Sequence, residues 1–216
     1  MVACCPIEKF IRRRRKEARP AEITAAALEV FAEKGFAATR LEDIAARAGV
    51  SKGTVYLYFE SKEALFKAAV ETAMMPAVEA AEALAGDISR PAADLLREFM
   101  FGWWQMVGST ALGALPKLLV AEAGNFPELA RWFHDSLISR GHRAMTRIIE
   151  QGIAAGDFRP VPAPLAARIV FAPLFSFIIW RRTFAGFMCD LPEPEEFLAQ
   201  AVDVLTHGLA LPEIKP

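Results

Sequence analysis

Between Ala21 and Phe36 the apolar residues Ile23, Ala26, Ala27, Val30 and Phe31 recur at i, i+3, i+4, i+7 and i+8, so they share one face of an α-helix. Pro20 suits its first turn and Gly35 supplies a C-terminal stop. Leu41, Ile44, Ala45 and Ala48 repeat the spacing before Gly49 breaks it, which predicts a second helix of about two turns. Thr39-Arg40-Leu41-Glu42 has the form of a capping box, with the Thr39 hydroxyl as N-cap and Glu42 reaching back. Ser51 caps a third short helix through Phe59, with Val55, Tyr58 and Phe59 inward or half-inward. Two short helices across a single glycine turn predict a helix-turn-helix. Ser61 opens a fourth helix whose Leu65, Phe66, Ala69, Val70 and Ala73 keep one apolar face up to Pro76.

Beyond Gly86 the pattern predicts helices over Pro91 to Val107, Leu112 to Ala123, Pro127 to Ala154, Pro164 to Phe184 and Pro194 to Leu209, four of them starting at proline. No segment alternates with period two. The expected fold is all-α, about nine helices, with a basic arm and helix-turn-helix domain over 1–66 and a helical domain over 67–216. The longest apolar run, Ile169 to Trp180, is shorter than the roughly 20 residues of a membrane span, so it reads as a buried helix with no membrane partner.

Charge changes the picture. The 216 residues carry a net charge of -1, yet the first 59 hold eleven Lys and Arg against seven Asp and Glu, and the remainder is acidic. Positive charge is therefore confined to the end with the short helices. Arg12 to Lys16, five cations in a row, reads as a flexible arm, suited to solvation, to phosphate neutralisation or to a minor groove. Cys4, Cys5 and Cys189 form neither a disulfide framework nor a zinc spacing, and no apolar leader follows Met1, so a reduced, cytoplasmic setting is expected.

A recognition helix needs small or polar residues where it enters a major groove and donors at its shoulders for phosphates. Gly49-Val50-Ser51-Lys52-Gly53-Thr54-Val55-Tyr56-Leu57-Tyr58-Phe59 meets both demands. With Phe31 to Phe36 in the form Phe-x-x-x-Gly-Phe, Ala38-Thr39, Asp43-Ile44-Ala45 and Ser61-Lys62-Glu63-Ala64-Leu65, the stretch from Ala21 to Val70 resembles the DNA-binding domain of the TetR family of transcriptional regulators. The resemblance implies a homodimer on double-stranded operator DNA, paired through its last two helices. It also implies a C-terminal domain that takes a small-molecule effector, with repression as the usual outcome. It places Thr39, Ser51, Lys52, Gly53, Thr54, Tyr56, Tyr58 and Lys62 at positions used for phosphate or base contacts. Arg40 joins them on its charge and position. Leu57 departs from a commonly polar slot and fits either a thymine methyl or simple packing. Tyr58 and Lys62 also admit plain packing and solvation.

Enzyme signals are poor. Gly108 and Gly113 have the spacing of a phosphate loop, but Ala114 stands where lysine is required. His134, His142 and His207 are too scattered for a metal site, and no catalytic residue or cofactor is expected. Phe99, Met100, Trp103, Trp104 and Met106 form one aromatic and sulfur-rich cluster, and Phe171, Phe175, Phe177, Ile178 and Trp180 another. Such groups fill cores, and they also line cavities for apolar ligands. An uncharged or weakly charged effector held by Met100, Trp103, Trp104, Phe171, Phe175 and Trp180 is the ligand expectation. A constitutive architectural DNA-binding protein without effector is the competing reading, separated by whether any metabolite weakens operator binding.

Overall fold

The computed structural model describes the backbone of residues 6–188 and 190–209 and the side chains of 19–188 and 190–208; Cys4, Cys5 and Cys189 lie outside the described residues. No strand forms among them. The elements are α1 (Pro6–Lys34), α2 (Leu41–Arg47), α3 (Lys52–Tyr58), α4 (Lys62–Leu84), α5 (Ala92–Trp103), α6 (Leu115–Glu122), α7 (Pro127–Phe133), α8 (Ser139–Ala155), α9 (Ala163–Phe184) and α10 (Pro194–Leu209). A π turn, Trp104–Gly108, closes α5, and a 3-10 turn, Ala111–Ala114, leads into α6. A second π turn, His134–Ile138, joins α7 to α8, so that pair winds as one helix and the described residues hold nine in all. The contacts divide the chain into two compact units between Ala73 and Met74, inside α4.

In the first unit the stripe expected of α1 is buried, Ile23, Ala27 and Phe31 completely. Phe31, Phe36 and Phe66 form a three-ring core with centroids 5.0 to 5.6 Å apart, two of the pairs edge to face. Arg47 of α2 reaches Glu29 and Glu33 of α1, each at 2.8 Å, and Lys34 reaches Asp43 at 3.0 Å. Two expectations fail. Arg12 to Lys16 is part of α1 and not a flexible arm: Arg, Lys and Glu are good helix formers, and the helix carries Pro20 inside it at the loss of one backbone donor. Thr39 is not the N-cap of α2. That position belongs to Arg40, whose N–H donates to the Asp43 carboxylate at 3.2 Å, while the Thr39 hydroxyl donates to the Gly35 carbonyl at 2.6 Å.

The second unit is built on the packing of α8 against α9. Ala163, Ala166, Ala167, Val170, Leu174, Phe177 and Ile178 keep a helical stripe buried on α9, facing Ala144, Met145, Ile148 and Ile149 of α8, with Leu95, Leu96, Phe99 and Met100 of α5 in the same core. Pro76 does not end α4, as its position suggested. The buried face continues through Ala77, Val78 and Ala81, and packing outweighs one missing hydrogen bond. Gly108 lies under the Trp104 indole and Gly113 against the Gly108 carbonyl and the Arg182 guanidinium, so a Cβ at either collides. The two glycines with phosphate-loop spacing are close-packing positions. α9, at 22 residues, has the length and apolarity of a membrane span, but one face of it is packed into this core.

Candidate DNA interface and ligand cavity

α3 owes its exposure to how it is held. Gly49, at φ +65°, ends α2 in a left-handed residue, with Val50 N–H on the Ala45 carbonyl at 2.9 Å and Gly49 N–H on the Ala46 carbonyl at 3.2 Å. The chain leaves α2 here and enters α3 at Lys52. Ser51 caps the new helix, its oxygen accepting the Thr54 N–H at 3.1 Å. Val55 is the only buried residue of α3, which leaves Ser51, Lys52, Gly53, Tyr56 and Leu57 outward and Leu57 as much as 70% exposed. No Cβ-sized obstacle lies over Gly53 other than the Ser51 hydroxyl at 3.8 Å, so the backbone there is open to close approach.

The electrostatics of this face are those of solvated surface pairs. Lys52 sits 2.5 Å from Glu42, and the hydrogen bond between them raises the lysine pKa and lowers that of the carboxyl. The Lys52 ammonium also lies 5.8 Å from the Tyr56 ring centre. Arg40 is exposed at the start of α2. Tyr58 and Phe59 are half-buried. Thr39, at 2% exposure, turns its hydroxyl inward and offers a phosphate nothing but its backbone. Lys62 is engaged as well: its ammonium donates to the carbonyls of Phe36, Ala37 and Thr39 at 2.8, 3.2 and 3.1 Å and lies 4.6 Å from the Phe36 ring centre. Lysine here ties the α1–α2 turn to the start of α4.

The second unit contains a cavity of about 390 Å³. Its walls are Met74, Ala77, Val78 and Ala81 of α4, Phe99 and Trp103 of α5, Leu115, Pro116 and Leu119 of α6, Phe133 of α7, and Gly141, His142, Arg168, Phe171, Ala172 and Phe175 of α8 and α9. Val107 comes from one π turn, Leu137 and Ile138 from the other. A π turn admits one residue more than the α-helix and widens it locally, and both lie in this wall.

Of the six residues expected to hold a ligand, Trp103, Phe171 and Phe175 line this space. Met100, fully buried, and Trp104, whose ring lies 5.2 Å from that of Phe177, belong to the core instead. Trp180 is 48% exposed and packs on Phe184 on the outer side of α9. Helical phase separates them: Phe171 and Phe175 are four apart on one face, and Trp180 lies five further on, about 140° round. The contributions of α4 and α6 were not apparent from composition, since small and aliphatic residues look the same in a core and in a cavity wall. Arg168 and His142 were also missed. The signal for Arg168 was its position three residues before Phe171, on the same face.

Comparison with known proteins agrees with this architecture. Residues 23–69 match the family model for bacterial regulatory proteins of the tetR family, and residues 94–207 match that of the AefR-like transcriptional repressor C-terminal domain. The helix-turn-helix transcriptional regulator YfiR of Bacillus subtilis is 30% identical over 158 residues, covering 72% of this chain and 75% of that one. Among solved structures, a TetR-family regulator from Mesorhizobium loti superposes with a TM-score of 0.73 at 22% identity, over 91% of this chain and 99% of the other. The Bacillus subtilis regulator FadR, in complex with stearoyl-CoA, gives 0.70 at 20% identity, over 88% and 98%. A helical protein with an outward second helix in its helix-turn-helix is a DNA-binding regulator in class. The chain belongs to the TetR family of transcriptional regulators, and its relatives are regulators, not enzymes.

Proposed function

We infer that this protein is a cytoplasmic repressor that binds operator DNA as a homodimer and is released when a small, largely apolar molecule fills the cavity beside α4, α5, α6 and α9. The observation that carries the reading is the cavity: some 390 Å³ walled almost entirely by Phe, Trp, Leu, Val, Met and Ala, within the usual range of small-molecule sites of about 300–1,000 Å³. A relative of the same fold, FadR, holds an acyl ligand, stearoyl-CoA. α4 supplies Met74, Ala77, Val78 and Ala81 to the wall and, in its first turns, Leu65 and Phe66 to the core beneath the helix-turn-helix. A ligand that displaces α4 therefore changes the separation of two recognition helices that must meet major grooves about 34–36 Å apart.

On the DNA side the contacts fall to Arg40, Ser51, Lys52, Gly53, Thr54, Tyr56 and Tyr58, with Thr39 and Lys62 holding the turn that presents them. The test begins with selection of an operator from a random DNA pool, followed by gel shifts. Tyr56→Phe should weaken binding, and Lys52→Gln and Arg40→Gln should each lower the salt dependence by about one unit of slope. Unchanged affinity and slope in all three variants would remove α3 as the reading element. A constitutive DNA-binding protein would keep its operator affinity with every compound that fills the cavity.

A further inference from the structure

Two polar side chains have no role in a purely apolar site. Among the nineteen residues lining the cavity only Arg168 and His142 are ionisable, and no Asp or Glu is among them. Elsewhere in the second unit Arg90 is paired with Glu98 and Arg140 with Glu82, and Arg159, Arg181 and Arg182 donate to carbonyls; Arg97, Arg143 and Arg147 make no such bond among the described residues, but none of them lines the cavity. Arg168, exposed at the open side of the cavity, makes no such bond among the described residues. His142 is half-buried, its ring 4.7 Å from that of Phe171 and edge to face. Burial first, then the positive charge of Arg168, holds its pKa below the ordinary value, which favours the neutral imidazole with one N–H to donate. The wall thus carries one net positive charge and a further donor, both beside Phe171, with apolar surface everywhere else.

We propose that the cavity takes a monoanionic amphiphile, an aliphatic or aromatic body ending in a single carboxylate, with Arg168 meeting the acid group and His142 donating beside it. This rests on the reading of the cavity as the effector site and narrows it. A guanidinium at a water-exposed rim suits a carboxylate, since the acid keeps part of its hydration while the body enters the apolar interior. One cation balances one charge. The same chemistry has two sources, a free acid or a thioester whose charge sits on a phosphorylated carrier. The volume favours the free acid, because 390 Å³ is near the lower end for small-molecule sites and leaves no room inside for a nucleotide as well as a chain.

Direct titration of the full chain without DNA separates this from the failure of operator release. Decanoate, decanol, 4-phenylbutyrate, 4-phenylbutanol and decanoyl-coenzyme A are compared by calorimetry and by tryptophan fluorescence. Each carboxylate should bind at least tenfold more tightly than its alcohol. Arg168→Gln should abolish that preference while leaving alcohol binding and the circular dichroism spectrum unchanged, and Arg168→Lys should restore part of it. Equal affinity for acid and alcohol, a preference that survives Arg168→Gln, binding of the coenzyme A thioester alone, or no binding by any of the five would each overturn the proposal. If the acids bind with this preference but leave operator affinity unchanged, the proposal stands and the effector reading of the site fails.

Discussion

At the scale of single residues, Lys62 carries more of the DNA-binding unit than its place on the surface suggests. Its three hydrogen bonds to Phe36, Ala37 and Thr39 give donors to carbonyls of the α1–α2 turn, which lie outside either helix's own hydrogen-bond ladder. Lys62→Met keeps the alkyl stem over the Phe36 ring and removes all three bonds. With allowance for partial solvent access, the expected loss is about 1–3 kcal/mol in the denaturant unfolding of that unit. Operator affinity should fall with it while the salt slope is retained, because the charge acts on the protein and not on a phosphate. A slope reduced by about one would instead make Lys62 a DNA contact. Thr39 teaches the same lesson. Its hydroxyl was legible as a hydrogen-bonding group, but the partner was not, since sequence spacing does not distinguish a bond forward into α2 from one back to Gly35.

Among the elements, those set by local chemistry were legible and those set by packing were not. The Ser51 cap, the Gly49 stop and the Ser61 start depend on residues within three or four positions, and the structure has each where the sequence predicts it. Helix lengths through Pro20 and Pro76 depend instead on what the continuing face packs against. The wide turns at Trp104–Gly108 and His134–Ile138 have no composition signature at all. The α2–α3 turn allows a clean test. Gly49 has positive φ and open space where a Cβ would stand, so Gly49→Ala costs backbone strain alone, about 1–2 kcal/mol, and Gly49→Asn less. Denaturant midpoints of the two variants should differ in that order, and equal midpoints would mean that the turn relaxes at no cost.

At the scale of the molecule, the cavity was legible as a region and not as a set of walls. Trp103, Phe171 and Phe175 were in reach because aromatic residues cluster in sequence, whereas Ala77 and Leu119 come together only in the fold. Assembly is the remaining large-scale expectation. Leu165 and Ile169 of α9 and Val204 of α10 are more than half exposed beside a groove that includes Pro162, Leu205 and Gly208, which is apolar surface that a second subunit can cover. Leu165→Glu combined with Val204→Glu should yield a monomer in sedimentation equilibrium at micromolar concentration, with operator binding weakened; a dimer mass would move the interface elsewhere. The cavity has one more consequence, for how such a protein is handled. An open apolar cavity in a protein can take up whatever its host cell makes that fits it, and any occupancy stabilises the folded chain by mass action, by about 2.7 kcal/mol at a hundredfold excess over the dissociation constant. If the cavity is the effector site, material purified gently is expected to carry its producer's metabolites with it. Batches stripped by refolding and batches that were not are then, for thermal behaviour and for DNA, two different substances.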